Sequence, residues 1–79
     1  MKIPRDISGQ YLINKLRKFG YKPTRQSGSH IRLTTQQNGE HHITIPNHHQ
    51  LKIGTLMSIL ALVAEHLNIS KNELMEQMS

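Results

Sequence analysis

The sequence contains no cysteine and no tryptophan, and it has only three aromatic residues. The absence of cysteine excludes a disulfide framework, a thiolate metal site and a cysteine nucleophile, so the fold must rest on packing alone. The three rings belong to Tyr11, Phe19 and Tyr21. They are too few for a sheet that recognises RNA bases by aromatic stacking.

Long hydrophobic runs are also absent. No stretch reaches the roughly 18 apolar residues of a membrane span, and the opening MKIPRDISG lacks the apolar part of a secretory signal. The 79 residues are enough for one domain, which we expect to cover residues 1–79. We therefore expect a single-domain, cytoplasmic protein that does not contact a membrane.

Acidic residues are scarce in the first half of the chain. Eight of the ten Lys and Arg residues precede Gln36, but only one of the five acidic residues, Asp6, does so. A single acid is too few for a carboxylate dyad or a two-metal nuclease site in this half. The concentrated positive charge favours a polyanionic partner such as nucleic acid, although a small basic protein that is merely soluble would have the same composition.

Two segments have the apolar spacing of amphipathic helices. The first follows Ser8, a favourable N-cap, and ends at Gly20; its apolar positions are Leu12, Ile13, Leu16 and Phe19. The second begins near residues 52–55 and ends at Asn68; its apolar positions are Leu56, Ile59, Leu60, Val63 and Leu67. A capping box at residues 70–73 predicts a short third helix.

Three segments between the helices have the composition and alternation of β-strands. Residues 21–26 form the first, and Pro23 assigns it to a sheet edge because proline cannot donate to a ladder on both sides. Residues 29–35 form the second, after a turn at residues 27–28. Residues 41–46 form the third, after the Asn-Gly hairpin signal in QQNGE.

The predicted order is α-β-β-β-α-α, a two-layer α+β fold with a three-stranded antiparallel sheet. One sheet face packs under the helices and carries Ile31, Leu33, Ile43 and Ile45. The opposite face is left bare and carries His30, Arg32, Thr34, His42 and Thr44. This order matches the architecture of the double-stranded-RNA-binding domain.

His30 is the most informative residue of the bare face, because it follows a glycine turn and lies between Arg25 and Arg32. Cleavage of RNA without a metal needs mainly an acid, a base and charge stabilisation, since the 2′-hydroxyl is an internal nucleophile. The unperturbed pKa of histidine, about 6.5, suits acid–base work near neutral pH. His30 is therefore a candidate acid–base residue, with an ordinary solvated histidine as the alternative.

The start of the second helix is a candidate phosphate site. Gly54 and Thr55 would leave backbone N–H groups free there, and Lys52 would add a positive charge. Alternatively, Gly54 simply lets the helix approach the sheet closely. Both roles remain open at this point.

The remaining histidines do not form an obvious metal site. Neighbours within the pairs at residues 41–42 and 48–49 would point to opposite faces of a strand, so neither pair chelates one ion. A zinc site would need His42 to converge with His30 or His48. Exposed polar residues are the simpler interpretation, and we expect neither a metal nor a cofactor.

The combined motifs resemble the HicA toxin family. GSHIRL at residues 28–33 is similar to the family's glycine-serine-histidine strand start, and IPNHHQLKIGTLMSIL at residues 45–60 is similar to its second motif, a proline, a histidine two positions on and a Gly-Thr-Leu helix start. The resemblance covers residues 7–60. It implies a small mRNA-cleaving toxin that a cognate HicB-type antitoxin holds inactive.

By this resemblance His30 matches the catalytic histidine of the family, and Gly28 with Ser29 matches the turn beside it. His48 matches the histidine of the second motif, to which we carry over no catalytic role. Two departures stand out: Ile53 replaces a proline that often precedes Gly-Thr-Leu, and ALVAEHLNIS makes the second helix about one turn longer.

We therefore expect a toxin-type endoribonuclease that cleaves mRNA with His30 as general acid or base. The residues expected to contact RNA or phosphate are Arg25, Gly28, Ser29, Arg32, Lys52, Gly54 and Thr55. The alternatives are a non-catalytic RNA-binding module of the same fold and a protein-interaction domain whose bare sheet face meets an acidic partner. RNA cleavage would separate the first hypothesis from both alternatives.

Overall fold

The computed structural model describes residues 6–78. Its elements are α1 (Gly9–Leu16), which continues as a 3-10 turn (Arg17–Phe19), then β1 (Lys22–Ser27), β2 (His30–Thr35), β3 (His41–Pro46), α2 (Ile53–Leu67) and α3 (Lys71–Met78). This order confirms the predicted α+β fold, and each element lies within one or two residues of its predicted position.

The helices begin and end where the capping residues indicate. The Ser8 hydroxyl accepts a hydrogen bond from the backbone N–H of Tyr11 at 3.0 Å, which satisfies one of the free donors of the first turn. Gly20 and Asn68 adopt left-handed conformations, with φ of 82° and 59°, directly after the α1 segment and α2. The cap predicted at residues 70–73 also forms, because the backbone N–H of Glu73 donates to the Ser70 hydroxyl at 3.0 Å.

The sheet has the order β1-β2-β3 and is antiparallel throughout. Every second residue of β2 and β3 faces the helices. On this covered face Ile31 pairs with Ile45, and Leu33 pairs with Ile43. They join the apolar residues of the helices in one core, whose helical members include Leu12, Ile13, Leu16, Leu56, Ile59, Leu60 and Val63. Tyr21 is also buried there, a core role that the sequence reasoning did not assign.

Strand β1 contributes no side chain to this core. All six of its residues, KPTRQS, are exposed, and the register shifts between Pro23 and Arg25. Pro23 lies on an edge strand, as predicted, because β2 is the central strand. The core under the sheet therefore rests on β2 and β3 alone.

The two C-terminal helices meet at a bend of 100°. Leu74 of α3 is fully buried, and the Lys18 ammonium donates to the backbone carbonyl of Gln77. Among residues 6–78 no single helix has the length and hydropathy of a membrane span, whereas α2 and α3 taken together meet that test by length and composition.

Backbone hydrogen bonds fix the loop after β3 against the start of α1. The N–H of Gly9 donates to the carbonyl of His48 at 2.9 Å, and the N–H of Leu51 donates to the carbonyl of Ile7 at 2.7 Å. A Cβ atom at Gly9 would overlap the carbonyl oxygen of Pro46. Glycine is therefore required at this position for the helix to reach the end of β3.

We expect Gly9→Ala to lower the free energy of unfolding by roughly 1–3 kcal/mol, because either the helix or the β3 loop must shift to admit the methyl group. Gly54→Ala is the matched control, since a Cβ atom there meets nothing within 4 Å. Gly54→Ala should instead raise the free energy of unfolding by about 0.5–1 kcal/mol, because alanine loses less backbone freedom than glycine when a helix forms. Urea unfolding followed by circular dichroism measures both, and equal effects would contradict the packing argument.

Candidate functional site

An open groove, which runs over the uncovered face of the sheet and around the β3 edge to Ile43 and Leu62, brings several predicted site residues together. It is lined by Arg25, Ser27, His30, Arg32, His42, Ile43, Thr44 and Leu62. Three of the predicted side chains, those of Arg25, His30 and Arg32, meet in this groove. The lining also includes Leu62, an α2 residue that the sequence reasoning did not assign to the site.

His30 is the first residue of β2 and is exposed. It pairs with Ser27 of β1 on one side and with Pro46 of β3 on the other. The hairpin loop before it consists of Gly28 and Ser29, and Gly28 has a φ of 59°, as a two-residue hairpin loop with glycine at its first position requires. The turn thus delivers the imidazole to the open face, at the end of the central strand.

The loop that follows β3 supports this turn from the opposite side. The backbone N–H of Asn47 donates to the carbonyl of Ser29 at 2.6 Å. Since the same loop is held by Gly9 and Ile7 at the start of α1, the residue before His30 is connected to the helical layer through backbone contacts. Gly28 and Ser29 therefore position His30 instead of lining the groove themselves.

Arg25 and Arg32 are directly opposite each other on β1 and β2. Like charges at such cross-strand positions destabilise a sheet. Neither arginine has an acidic partner within residues 6–78, where the one ion pair joins His42 and Glu40. The pair is therefore an unneutralised positive patch beside His30, which suits a polyanion.

A chain of hydrogen bonds crosses the face at the end remote from His30. The hydroxyls of Thr24 and Thr34 are 2.8 Å apart, the Thr34 hydroxyl is 2.8 Å from His42 Nδ1, and His42 Nε2 is 2.8 Å from Glu40 Oε2. Sequence reasoning placed Thr34 and His42 on this face but missed Glu40 and Thr24. The signal for Glu40 was its position two residues before His42, which favours the same face.

The register keeps the two groove histidines apart. His30 pairs with Pro46, whereas His42 pairs with Thr34, so the two histidines lie about 13 Å apart along the ladder at about 3.3 Å per residue. In the described part of the chain, no three His, Cys, Asp or Glu side chains come together as a metal site would need. His42 does not converge with His30 in the way a shared zinc ion would demand.

Of the phosphate site predicted at the start of α2, only Lys52 lines a depression, and that depression is separate from the groove. That depression is lined by Asp6, Gln50, Leu51, Lys52 and Ile53, and it includes an acidic side chain. Lys52 is the N-cap residue of α2 and makes no side-chain capping bond, while Thr55 is partly buried. The alternative role for Gly54, close approach of the helix to the sheet, is wrong, because the space around it is open.

A second histidine cluster, on the far side of the β2–β3 hairpin, was missed by the sequence reasoning. His41 Nδ1 is 2.8 Å from the Tyr21 hydroxyl, and the His41 ring stacks on that of His66 with centroids 4.3 Å apart. His66 Nε2 is 3.0 Å from the carbonyl oxygens of both Gln37 and Gly39. The cluster ties the hairpin loop to the end of α2.

Burial shifts the pKa values of two members of this cluster, Tyr21 and His41. It raises the pKa of Tyr21 to about 12, so the phenol keeps its proton. Burial is also the main reason why the pKa of His41 is lowered, with the neighbouring His66 and His42 acting in the same direction and Glu65 opposing them. The structure therefore favours a neutral His41 ring.

Comparison with known proteins identifies a family for this chain. A model of the HicA toxin of bacterial toxin–antitoxin systems matches residues 9–64, more than two thirds of the chain. The match begins with α1 and ends inside α2, so the last turn of α2 and the whole of α3 lie beyond it. No curated protein and no solved structure matches significantly.

We expect thermal stability to fall as the pH drops below about 6.5, the reference pKa of histidine. Because the pKa of His41 is lower in the folded state than in the unfolded state, the unfolded state binds the proton first, and stability is lost as the pH passes through the folded value. His41→Gln keeps an acceptor for the Tyr21 hydroxyl but cannot take up a proton. This variant should therefore lose less thermal stability than the parent protein as the pH falls.

The matched control is His49→Gln, because His49 lies in the exposed loop. This variant should lose as much thermal stability at acidic pH as the parent protein does. Melting temperatures measured from pH 7.5 to 5 compare the three proteins. If the melting temperature of His41→Gln fell as steeply with pH as that of the parent protein, another titrating group would be the cause.

Proposed function

The chain belongs to the HicA toxin family of bacterial toxin–antitoxin systems, and from this premise we propose that it is an endoribonuclease that cleaves mRNA in the cytoplasm. His30 is the proposed general acid or base. The observation that carries this proposal is the exposed His30 ring at the end of the central strand, in one groove with Arg25 and Arg32.

The proposed reaction uses the RNA's own 2′-hydroxyl as nucleophile. Its oxygen attacks the adjacent phosphorus while a base takes its proton, the bond to the 5′-oxygen breaks, and that oxygen receives a proton from an acid. The products are a 2′,3′-cyclic phosphate and a 5′-hydroxyl. His30 serves one of the two proton-transfer roles, which typically contributes about 10²- to 10⁴-fold in rate.

The two arginines supply the charge that this reaction needs. The scissile phosphate gains negative charge as the 2′-oxygen attacks, and guanidinium groups fixed on a sheet stabilise that charge without rearranging. Arg25 and Arg32 are held opposite each other by the strand register. In the proposal they neutralise the RNA backbone at and beside the cleaved bond, a role that also explains why two like charges persist at facing positions.

The remaining predicted contacts have smaller roles in the proposal. Gly28 and Ser29 let the backbone of the RNA pass close to the turn before His30, where Gly28 carries no side chain. Lys52, Gly54 and Thr55 lie outside the groove, in and around the second depression. They would bind a phosphate of a longer RNA that continues around the end of the sheet.

A non-catalytic RNA-binding module is the second candidate function. One observation favours it: His42, the other groove histidine, lies about 13 Å from His30 along the ladder and cannot act on the same phosphate. The second proton transfer would then depend on solvent. This alternative predicts binding that weakens with salt while the RNA stays intact.

A partner that neutralises the toxin is part of the proposal. Membership of the family implies an antitoxin, and we assign it to the HicB type. Its binding would cover the cationic groove and keep mRNA away from His30.

We expect His30→Ala to lower the rate of cleavage of a single-stranded oligoribonucleotide by about 10²- to 10⁴-fold. His49→Ala is the matched control, because His49 is an exposed loop residue outside the groove, and it should cleave at the parent rate. Gel analysis of the products should show 2′,3′-cyclic phosphate ends. Equal rates for His30→Ala and the parent would refute the assignment of His30, and intact RNA with both would favour the binding module.

We expect Arg25→Gln and Arg32→Gln to weaken RNA binding without loss of folding stability. Each variant removes one phosphate contact, so the slope of log affinity against log salt should become shallower by about 0.7 for single-stranded RNA. Each also relieves a repulsion between facing like charges, so melting temperatures should stay equal or rise. Salt titrations by fluorescence anisotropy and thermal melts test both halves, and a loss of stability with unchanged RNA affinity would contradict them.

A further inference from the structure

The two edges of the sheet are protected very differently. Strand β1 carries Lys22, Pro23 and Arg25 and has an irregular register between Pro23 and Arg25. Charged residues, proline and bulges are the devices that prevent another strand from pairing with an edge. The β1 edge therefore has all three, whereas the middle of β3, Ile43 to Ile45, has none.

The free backbone groups of β3 can be assigned from its neighbours. Asn47 donates its N–H inward to Ser29 on the β2 side. Backbone groups alternate in direction along a strand, so Ile45 and Ile43 also point inward, while Pro46, Thr44 and His42 point outward. Proline at an outward position fits this assignment because it has no N–H to leave unpaired. His42 and Thr44 thus each present an N–H and a C=O at the outer edge of β3, which no other strand within residues 6–78 pairs with.

An apolar residue lies directly beside this edge. Leu62 of α2 is 50% exposed and shares the groove lining with Ile43 and Thr44 of β3. The α2 segment around it is unusual for a surface helix, because no charged residue occurs from Ile53 to Ala64. The edge of β3 therefore separates an uncharged helix surface from a cationic sheet face.

The charges decide which kind of strand fits there. A second copy of this chain carries the same positive charges and would leave the Arg25 and Arg32 patch unneutralised, so self-pairing lacks charge complementarity. RNA would satisfy the cationic face but not the row of backbone groups and the leucine beside them. A polypeptide strand with acidic side chains on one face and apolar side chains on the other satisfies all three features.

We propose that the open edge of β3 receives an extended segment of the antitoxin, which pairs with His42 and Thr44 and packs an apolar side chain on Leu62. The proposal rests on the toxin–antitoxin function stated above. An added strand lies about 4.8 Å from β3 and so about 10 Å from β2. A glutamate or aspartate on its open-face side would therefore come within reach of the long Arg32 side chain, so strand addition would also close the groove beside His30.

The first test measures backbone amide exchange in the full chain carrying His30→Ala, which avoids toxicity during expression. In the free protein the amides of His42 and Thr44 should exchange fast, and those of Ile43 and Ile45 slowly. Addition of the purified HicB-type antitoxin should slow exchange at His42 and Thr44 by at least about tenfold. A single-stranded oligoribonucleotide should leave both amides fast.

The second test uses two matched substitutions in the same His30→Ala background. Leu62→Glu should weaken antitoxin binding at least about tenfold, as loss of a buried apolar anchor does. Ile53→Glu is the control, because Ile53 is 57% exposed on the same helix but lies in the separate depression. Its affinity should change less than about twofold, and thermal melts would confirm that both variants fold.

Three results with the antitoxin would overturn the docking proposal: no complex, a complex that leaves His42 and Thr44 in fast exchange, or equal affinities for the two glutamate variants. Protection of the edge by the oligoribonucleotide in place of the antitoxin would assign this edge to RNA and also overturn it. Failure of the nuclease proposal is measured separately, as intact RNA with the parent chain. An inactive parent that still shows edge protection would retain the docking site and lose the enzyme.

Discussion

The structure depends on a sheet that the described residues 6–78 cover on one side only. Ile31, Leu33, Ile43 and Ile45 must be buried under the helices, and because side chains alternate along a strand, the residues between them must face outward. The same constraint that builds the core therefore displays the groove residues, among them His30 and Arg32. A shift of β2 by one residue would move its buried side chains to the open face and its exposed side chains into the core. Burial of Ile31 and Leu33 and exposure of His30 therefore depend on the same strand register.

The positive charges on the open face of the sheet lower the stability of the fold. The facing pair Arg25 and Arg32 is unfavourable within the sheet, and β1, which carries Arg25, has no apolar residue to compensate. That strand is held by its ladder to β2 and by the contact between the Thr24 and Thr34 hydroxyls. Such an arrangement is expected where a polyanion supplies the missing opposite charge, and the backbone contacts around Ser29 keep the turn beside His30 in place meanwhile.

The histidines show how far local pattern carries. Alternation alone placed His30 and His42 on the open face, and the structure agrees. Pattern did not reveal that His42 is held by Glu40, or that His41 and His66 stack although 25 positions separate them in the chain. It also left Gly54 between two roles, of which the open space around the residue removes one. Contacts between distant segments depend on how helices dock, which periodicity does not specify.

The element order, the buried face, the turn before His30 and the family to which the motifs belong could all be predicted from the amino-acid sequence, because each depends on short-range spacing and on residue types with strong conformational preferences. Which of those residues come into contact depends on the packing of the folded chain. It separated Lys52 from the groove, brought Leu62 to the edge of β3, and buried Tyr21 beside His41. Packing of helices on a sheet selects one arrangement by shape and burial over the whole core, and no local segment contains that information.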